Sequence, residues 1–404
     1  MTHRKTKQAG TSGKEIIRTK RSLANALYPL ILSVFAVYLT MGISLGVLPG
    51  FIKSDLQFGN LAIGITIGLQ SLAALLTRAY AGKITDTLGS KVSHHRGVFL
   101  IFIAGLIYLS AGFSGDFPNL ALGLLMISRI VHGIGESMLV TGALTWGIGL
   151  LGVGNSGKVM TWNGIAMYAG IALGAPLGIW VKDLSGIVFP FGLIALLSVV
   201  SGLFTGRLPV VAADPSHVRI PFYKVVGKVL NQGFALAFSS IGFACIASFI
   251  GLFFADKNWS GASLGFLCFG GSYIVTRLFF ASYPNKFGGY KVAIASFAVE
   301  ITGQLLIGFS TSGWMAILGC AFTGIGFSLV FPALGVLAIK KVQPQMRGTA
   351  LGAYSAFFDL SLGVAGPVAG LIAGWFSYQS IYIFGAISGL CALLVLWKDK
   401  KTVL

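Results

Sequence analysis

The sequence predicts an all-α polytopic membrane protein: twelve transmembrane helices in two pseudo-symmetric six-helix bundles. Three observations predict it. The 404 residues are 55% hydrophobic and only 10% charged, too little charge to cover a water-soluble surface of this size. Apolar runs near or above the ~20 residues that cross a ~30 Å hydrocarbon core recur along almost the whole chain. Short motifs of the first half return, in the same order, in the second. A membrane β-barrel would show alternating segments of ~10 residues instead.

The spans fall at 27–50, 61–82, 97–114, 119–145, 158–181, 186–205, 231–254, 262–283, 292–311, 314–339, 349–374 and 378–397. Residues 1–26 read as a basic, polar arm. The run from Leu27 is too long for a signal-peptide core, so it is expected to remain as the first span. The N-terminal bundle then covers 27–205 and the C-terminal bundle 231–397. Between them lies a linker, 206–230, punctuated by Pro209, Pro215 and Pro221; a short tail, 398–404, follows.

Twelve spans put both ends on one side, and the charges indicate which. With the N-terminus in the cytoplasm, the inner segments hold Lys83, Lys91, Arg96, Lys158, Arg207, Lys286, Lys291, Lys340, Lys341 and Arg347 besides the basic arm, linker and tail. The outer loops hold only Lys53, Lys182 and Lys257. This is the positive-inside pattern. It accounts for most of the formal charge of +18, so no nucleic-acid partner is implied. Both termini are expected in the cytoplasm and the chain in a bacterial inner membrane. Cys245, Cys268, Cys320 and Cys391 all lie inside apolar runs and read as small buried hydrophobes; no spacing suggests a metal site.

The repeat rests on three matches. "TRAYAGKITDTLGSKV" (77–92) parallels "TRLFFASYPNKFGGYKV" (276–292), which sets Lys286 against Asp86. "HGIGESMLV" (132–140) parallels "TGIGFSLVF" (323–331). "GIALGAPLG" (170–178) parallels "GVAGPVAG" (363–370). Parallel repeats of this kind place a substrate site between the halves near mid-membrane.

These residues resemble the major facilitator superfamily over all twelve spans. "GKITDTLGSK" (82–91) resembles the family's signature loop, with Gly82, Asp86, Gly89 and Lys91 at its key positions and Arg78 just before it. "RIVHGIG" resembles the fourth-span motif, with Arg129 matching and His132 in place of glutamine. Gly170, Gly174, Pro176 and Gly178 resemble the fifth-span motif typical of antiporters, with Ala175 replacing one glycine. "GFSLVFPALGVLAIKKV" and "FFDLSLGVAGP" are similar to the bacterial YhhS/YfcJ group of efflux permeases. The resemblance implies the major facilitator fold and proton-driven export, with a gating role for the signature loop. It does not imply a substrate.

One motif points elsewhere. "GVGNSGKV" (152–159) is one residue short of a nucleotide-binding P-loop, with Val159 where a Mg²⁺-binding hydroxyl belongs. A P-loop works inside a strand–loop–helix unit that aims backbone N–H groups at phosphates. Here the stretch joins two membrane spans, so it reads as a turn with an inside charge. No cofactor and no ATP binding are expected.

Ionisable groups at mid-membrane cost at least ~2.5–3.5 kcal/mol each on the insertion scale, so they are few and purposeful. Arg129, His132 and Glu136 share span four at i, i+3, i+7, which places them along one helix face. The repeat partners of Arg129 and Glu136 are Cys320 and Phe327: the second half keeps the glycines and loses the charges. That asymmetry makes the trio the proton-coupling candidates, with Glu136 the carrier and Arg129 a group that neutralises it. Candidates for the substrate cavity are Asp359, Glu300, Asn163, Trp162, Tyr168 and Gln70. Arg78 and Arg277 lie near inner helix ends, where they can snorkel.

The function so predicted is a secondary active transporter, not an enzyme. It would act as a monomer in the lipid bilayer and export a small organic solute in exchange for protons. A proton-linked importer with the same fold is the alternative.

Overall fold

The computed structural model describes residues 6–211, 223–343 and 347–403. Parts of three predicted segments lie outside the described residues: the first residues of the arm, linker residues 212–222 with Pro215 and Pro221, and Leu404 of the tail.

Thirteen α-helices follow in order. They are α1 (Thr6–Gly50), α2 (Asn60–Leu88), α3 (Ser90–Phe113), α4 (Pro118–Leu151), α5 (Ser156–Ser185), α6 (Val188–Thr205) and α7 (Tyr223–Asp256). Then come α8 (Ala262–Phe280), the short α9 (Tyr283–Phe287), α10 (Gly289–Gly308), α11 (Gly313–Lys340), α12 (Arg347–Trp375) and α13 (Tyr378–Val403). All but α9 are long and apolar enough to cross a membrane. No strand occurs among the described residues. The chain is a multi-pass membrane protein of twelve spans.

The helices begin and end for local reasons. Pro118 stands in the first turn of α4, where its missing N–H costs nothing. Gly89 (φ +98°) joins α2 to α3 and Gly288 (φ +88°) joins α9 to α10. Both take the left-handed backbone that glycine adopts without strain. α1 closes in a π turn, Phe51–Asp55.

α1 begins at Thr6, inside the expected arm 1–26, and three other boundaries that differ from the sequence expectation bear on the site. α3 starts at Ser90 rather than 97, because its first two turns are polar yet pack inside the half; this brings His94 into the core. The linker is shorter than expected, since α7 begins at Tyr223. In the second half, α8 ends at Phe280 and Pro284 opens the separate helix α9. A proline has no N–H for an ongoing helix.

The repeat has a more accurate register in space than in the alignment of motifs. Arg78 and Arg277 stand at the same interval before the left-handed glycines Gly89 and Gly288. A Cβ on Gly133 would meet the carbonyl of Gln70, and one on its counterpart Gly324 the carbonyl of Phe269. In this register Asp86 pairs with Asn285, not with Lys286, because the extra glycine of "FGGYKV" had shifted the motif by one.

In each half four helices face the other half and two stand behind them. α3 packs on α4 and α6, and α10 packs on α11 and α13. The halves meet chiefly through α2 with α12 and α5 with α8. The α2–α12 contact is a seam of bare backbone. A Cβ on Gly64 would lie 2.1 Å from the Gly366 carbonyl oxygen, one on Gly68 2.5 Å from that of Gly363, and one on Gly370 2.5 Å from that of Asn60. Small residues permit this approach. The Tyr378 hydroxyl donates to Asn60 Oδ1 at 3.0 Å beyond the seam. The interface is thus closed on the face opposite the chain ends. At the face that carries the chain ends, α4 and α11 make no substantial contact with each other.

Candidate functional site

Where the halves face each other, twelve residues enclose a small cavity. Tyr38, Met41, Ser71, Ala74, Glu136, Met167, Tyr168 and Ile171 come from the first half; Phe243, Phe358, Asp359 and Leu362 come from the second. Its volume is about 20 Å³, room for about one water, since a single solvent sphere occupies ~10–15 Å³. An organic solute therefore requires the halves to separate further.

One wall is polar. Glu136 on α4 accepts hydrogen bonds from the Tyr38 hydroxyl of α1 (2.8 Å) and the Gln70 amide of α2 (2.7 Å). Both donors are neutral. Arg78 on α2 forms an ion pair with Asp359 on α12, across the two halves. The pair sits where α2 and α12 cross, so it ties the halves together next to Glu136.

The other wall is aromatic. Tyr168 of the first half and Phe243 and Phe358 of the second line the cavity; Phe269, Tyr273 and Phe327 of the second half pack behind them. Tyr168 lies on Tyr273 with ring centroids 3.9 Å apart. Phe243 stacks on Phe269 at 5.2 Å and on Phe327 at 5.8 Å. Phe327 in turn stacks on Phe358 at 6.3 Å. Such offset and edge contacts hold rings in place beyond simple area burial.

Several sequence expectations change here. Arg129 does not neutralise Glu136. Its guanidinium donates to Ser44 Oγ (2.9 Å) and the Ile67 carbonyl (3.0 Å), locking α4 to α1 and α2. Two helical turns separate it from Glu136, too far for the two to pair. His132 does not share their environment. It is fully buried against Tyr108 of α3, centroids 6.3 Å apart, and neither ring nitrogen has a hydrogen-bond partner. A residue three positions on is rotated by a sixth of a turn, enough to change the neighbouring helix.

Glu300 is not a cavity residue. It is buried inside the second half, where Ser239 of α7 donates to it at 2.5 Å. Its helix, α10, is one of the two that stand behind. Gln304, one turn on, bonds the Gly242 carbonyl and Thr323. Trp162 is 42% exposed and lines no part of the cavity. Asn163 is buried just beyond it, with its amide on Met167 Sδ at 3.1 Å. Gln70 is fully buried and holds Glu136 rather than lining the space. Neither Arg78 nor Arg277 snorkels: Arg78 pairs with Asp359, and Arg277 is 7% exposed with its guanidinium on the Tyr273 hydroxyl at 2.8 Å.

The motif residues have clear structural surroundings. Gly170, Gly174 and Gly178 lie against the backbone of α1, and Pro176 sits inside α5 among them. In the signature loop, Gly82 and the half-buried Asp86 lie in α2, before Gly89. Lys91 donates to the carbonyls of Gly206 (2.9 Å) and Leu208 (2.7 Å) and lies 5.7 Å from the Trp146 ring. It grips the beginning of the linker. In the stretch 152–159, residues 152–155 turn between α4 and α5 and 156–159 form the first turn of α5, with Lys158 exposed and the Asn155 amide on the Leu151 carbonyl.

Sequence reasoning missed Tyr38, His94 and Tyr273. Tyr38 and Tyr273 are tyrosines in apolar spans and carry no distinguishing spacing. His94 bonds Ser33 at 2.9 Å; it lies ahead of the expected span 97–114, in the polar first turns of α3 that carry no hydropathy signal.

Comparison with known proteins agrees with this architecture. The Major Facilitator Superfamily model matches residues 30–230 and 232–403. The Escherichia coli (strain K12) protein named "Uncharacterized MFS-type transporter YhhS" is 42% identical over 367 residues, 91% of this chain and 90% of that protein. An MFS-type transporter of Burkholderia mallei (strain SAVP1) is 41% identical over 88% of this chain and 87% of its own length. Among solved structures, a D-xylose-proton symporter superposes with a TM-score of 0.75 at 18% identity, covering 92% of this chain and 98% of that one. The nucleoside transporter NupG gives 0.70 at 17%, over 93% and 98%. At such identities these two speak for the fold alone. Two six-helix halves, a cavity between them and a family match over nearly the whole length lead to one conclusion: the chain belongs to the Major Facilitator Superfamily and is a transporter, not an enzyme.

Proposed function

We propose that the protein is a proton-coupled antiporter that exports a small organic solute by alternating access, as a monomer in the bacterial inner membrane with both termini in the cytoplasm. The observation that carries the coupling is Glu136. It lines the cavity and is held only by neutral donors, Tyr38 and Gln70. A carboxylate held this way takes up a proton without breaking an ion pair. Asp359 differs, because protonating it would release Arg78 and loosen the tie between the halves. Glu136 is therefore the carrier and Asp359 with Arg78 the group that feels the conformational change. A proton shifts the equilibrium between conformations only by its differential affinity for them. Glu136 faces Phe243, Phe358 and Asp359 of the second half across the cavity, so its hydration and its distance from those groups are what alternate as the halves move.

The direction of export is supported by the fifth-span motif, and the cytoplasmic termini by the positive-inside charges. In the signature loop, Asp86 acts as a latch for the chain-end face when the cavity opens on the opposite side, with Gly82 and Gly89 shaping its helix end. Asp86→Asn should then raise the fraction open at the chain-end face. Unchanged cysteine accessibility in that variant would remove the latch.

The central test is Glu136→Gln in proteoliposomes under an imposed pH gradient. The expected result is loss of uphill solute movement with downhill exchange retained. Wild-type uphill rates would place the carrier elsewhere, and solute entry together with protons would make the protein an importer.

A further inference from the structure

The two crossings between the halves are related by the repeat, and one is incomplete. Arg78 on α2 and Arg277 on α8 occupy equivalent positions. Asp359 on α12 and Tyr168 on α5 are equivalent too: each stands eight residues before the proline of its motif, Pro367 and Pro176. At the α2–α12 crossing the arginine meets the aspartate in an ion pair. At the α8–α5 crossing the arginine bonds Tyr273 of its own helix, and it is Tyr273 that lies on Tyr168. Among the described residues no carboxylate lies within ion-pair distance of Arg277. Its polar partner is the Tyr273 hydroxyl, its Nε is buried without a partner, and it is only 7% exposed. A buried cation with no counter-charge is costly unless something supplies one.

In this conformation the space beside Arg277 admits about one methyl group, so a counter-charge from outside the chain reaches it only as the α5–α8 crossing opens. On the α5 side the guanidinium faces Gly164, where an added Cβ would meet only Arg277 Nη2 at 3.6 Å and Tyr273 Oη at 3.9 Å. Tyr273 lies on Tyr168, which lines the central cavity, and the aromatic wall continues through Phe327 to Phe358. A charged head at Arg277 would thus be joined to a flat apolar body along the rings. Arginine's planar fork matches a carboxylate's two oxygens.

We propose that Arg277, with Tyr273, is the anion-binding end of the solute site, and that the transported solute is an amphipathic organic anion, such as an aromatic carboxylate, whose charge completes the crossing as Asp359 does its twin. The proposal rests on reading the central cavity as the solute site; it does not require that protons drive transport. It also turns away from cationic solutes, because the cavity's acidic groups are already engaged, Asp359 by Arg78 and Glu136 by two donors.

The test is equilibrium binding to the purified full-length protein in detergent, followed by thermal stabilisation. The probes are 2-naphthoate, the neutral 2-naphthylmethanol and the cationic 2-naphthylmethylammonium. The naphthoate alone should stabilise the wild type, and Arg277→Gln should weaken its apparent affinity at least tenfold. Lys158→Ala, exposed and remote from the cavity, should bind it with wild-type affinity. Where Arg277→Gln does not give monodisperse protein, Arg277→Lys, which keeps the charge but not the fork, should weaken binding severalfold. The proposal is overturned by equal stabilisation from the neutral probe, by no effect of the naphthoate, or by unchanged affinity in the Arg277 variant that folds. Naphthoate binding without proton-driven transport would sink the coupling mechanism and leave this site standing. Proton-driven transport without naphthoate binding would do the reverse.

Discussion

The first half of the molecule puts polar groups where the second half puts rings. Gln70 and Phe269 are repeat partners, as are Glu136 and Phe327, and both pairs flank the glycine that lets α4 or α11 touch its neighbour. In one half the pair is a hydrogen bond of 2.7 Å; in the other it is two rings 6.4 Å apart. The backbone contact beneath is the same. The glycines meet a demand of the fold, which both halves share, and the side chains above them are free to diverge. A duplicated scaffold thus carries a polar cluster in one half and a cluster of rings in the other.

The comparison can be broken hardest at the crossings. Asp359→Ala should leave Arg78 without a counter-charge and destabilise the protein by roughly 3–5 kcal/mol, read from unfolding in detergent. Adding Arg78→Met should recover most of that loss; no recovery would mean that the pair is not a unit. The seam beside it comes next. Gly64→Ala drives a methyl group into the Gly366 carbonyl and should disfavour the conformation closed on the face opposite the chain ends, by about 1–3 kcal/mol. Paired spin labels would report the shift, and Gly271→Ala, where a Cβ meets nothing within 4 Å, is the control. No difference between the two would refute the seam as a gate.

A finer test asks whether span four holds one charge unit or two. Because Arg129 and Glu136 have separate partners, the stability effects of Arg129→Met and Glu136→Gln should add within ~0.5 kcal/mol. A larger coupling would restore the sequence reading in which the arginine neutralises the glutamate. The smallest effect should come from outside both walls: Lys158→Ala should stay within about 0.5 kcal/mol in stability and within a few-fold in transport. Saturable ATP binding lost in that variant would contradict it.

Much of the fold was legible because hydropathy and charge bias are properties of whole segments. Twelve spans survive errors of several residues at their ends. The site was legible only in part. Glu136, Asp359 and Tyr168 were found because a carboxylate, or a polar ring near a motif, stands out in an apolar span. Their partners were not, since which neighbour a side chain meets depends on rotations that spacing does not record. His132 shows this: at i+3 from Arg129 it belongs to a different helix contact. Glu300 shows the other limit. A buried carboxylate looks the same in sequence whether its helix faces the cavity or stands behind it, as α10 does.

The grip of Lys91 on the linker has a mechanical consequence. Lys91 holds the carbonyls of Gly206 and Leu208, and Trp146 Nε1 donates to that of Pro209 at 2.9 Å. The leash between the halves is therefore made fast at Pro209 and not at Thr205, where α6 ends. Lys91→Ala would free Gly206 and Leu208 but leave Trp146 holding Pro209; only loss of both anchors pays out the intervening four residues, about 14 Å of contour at ~3.5 Å each, and lengthens the tether.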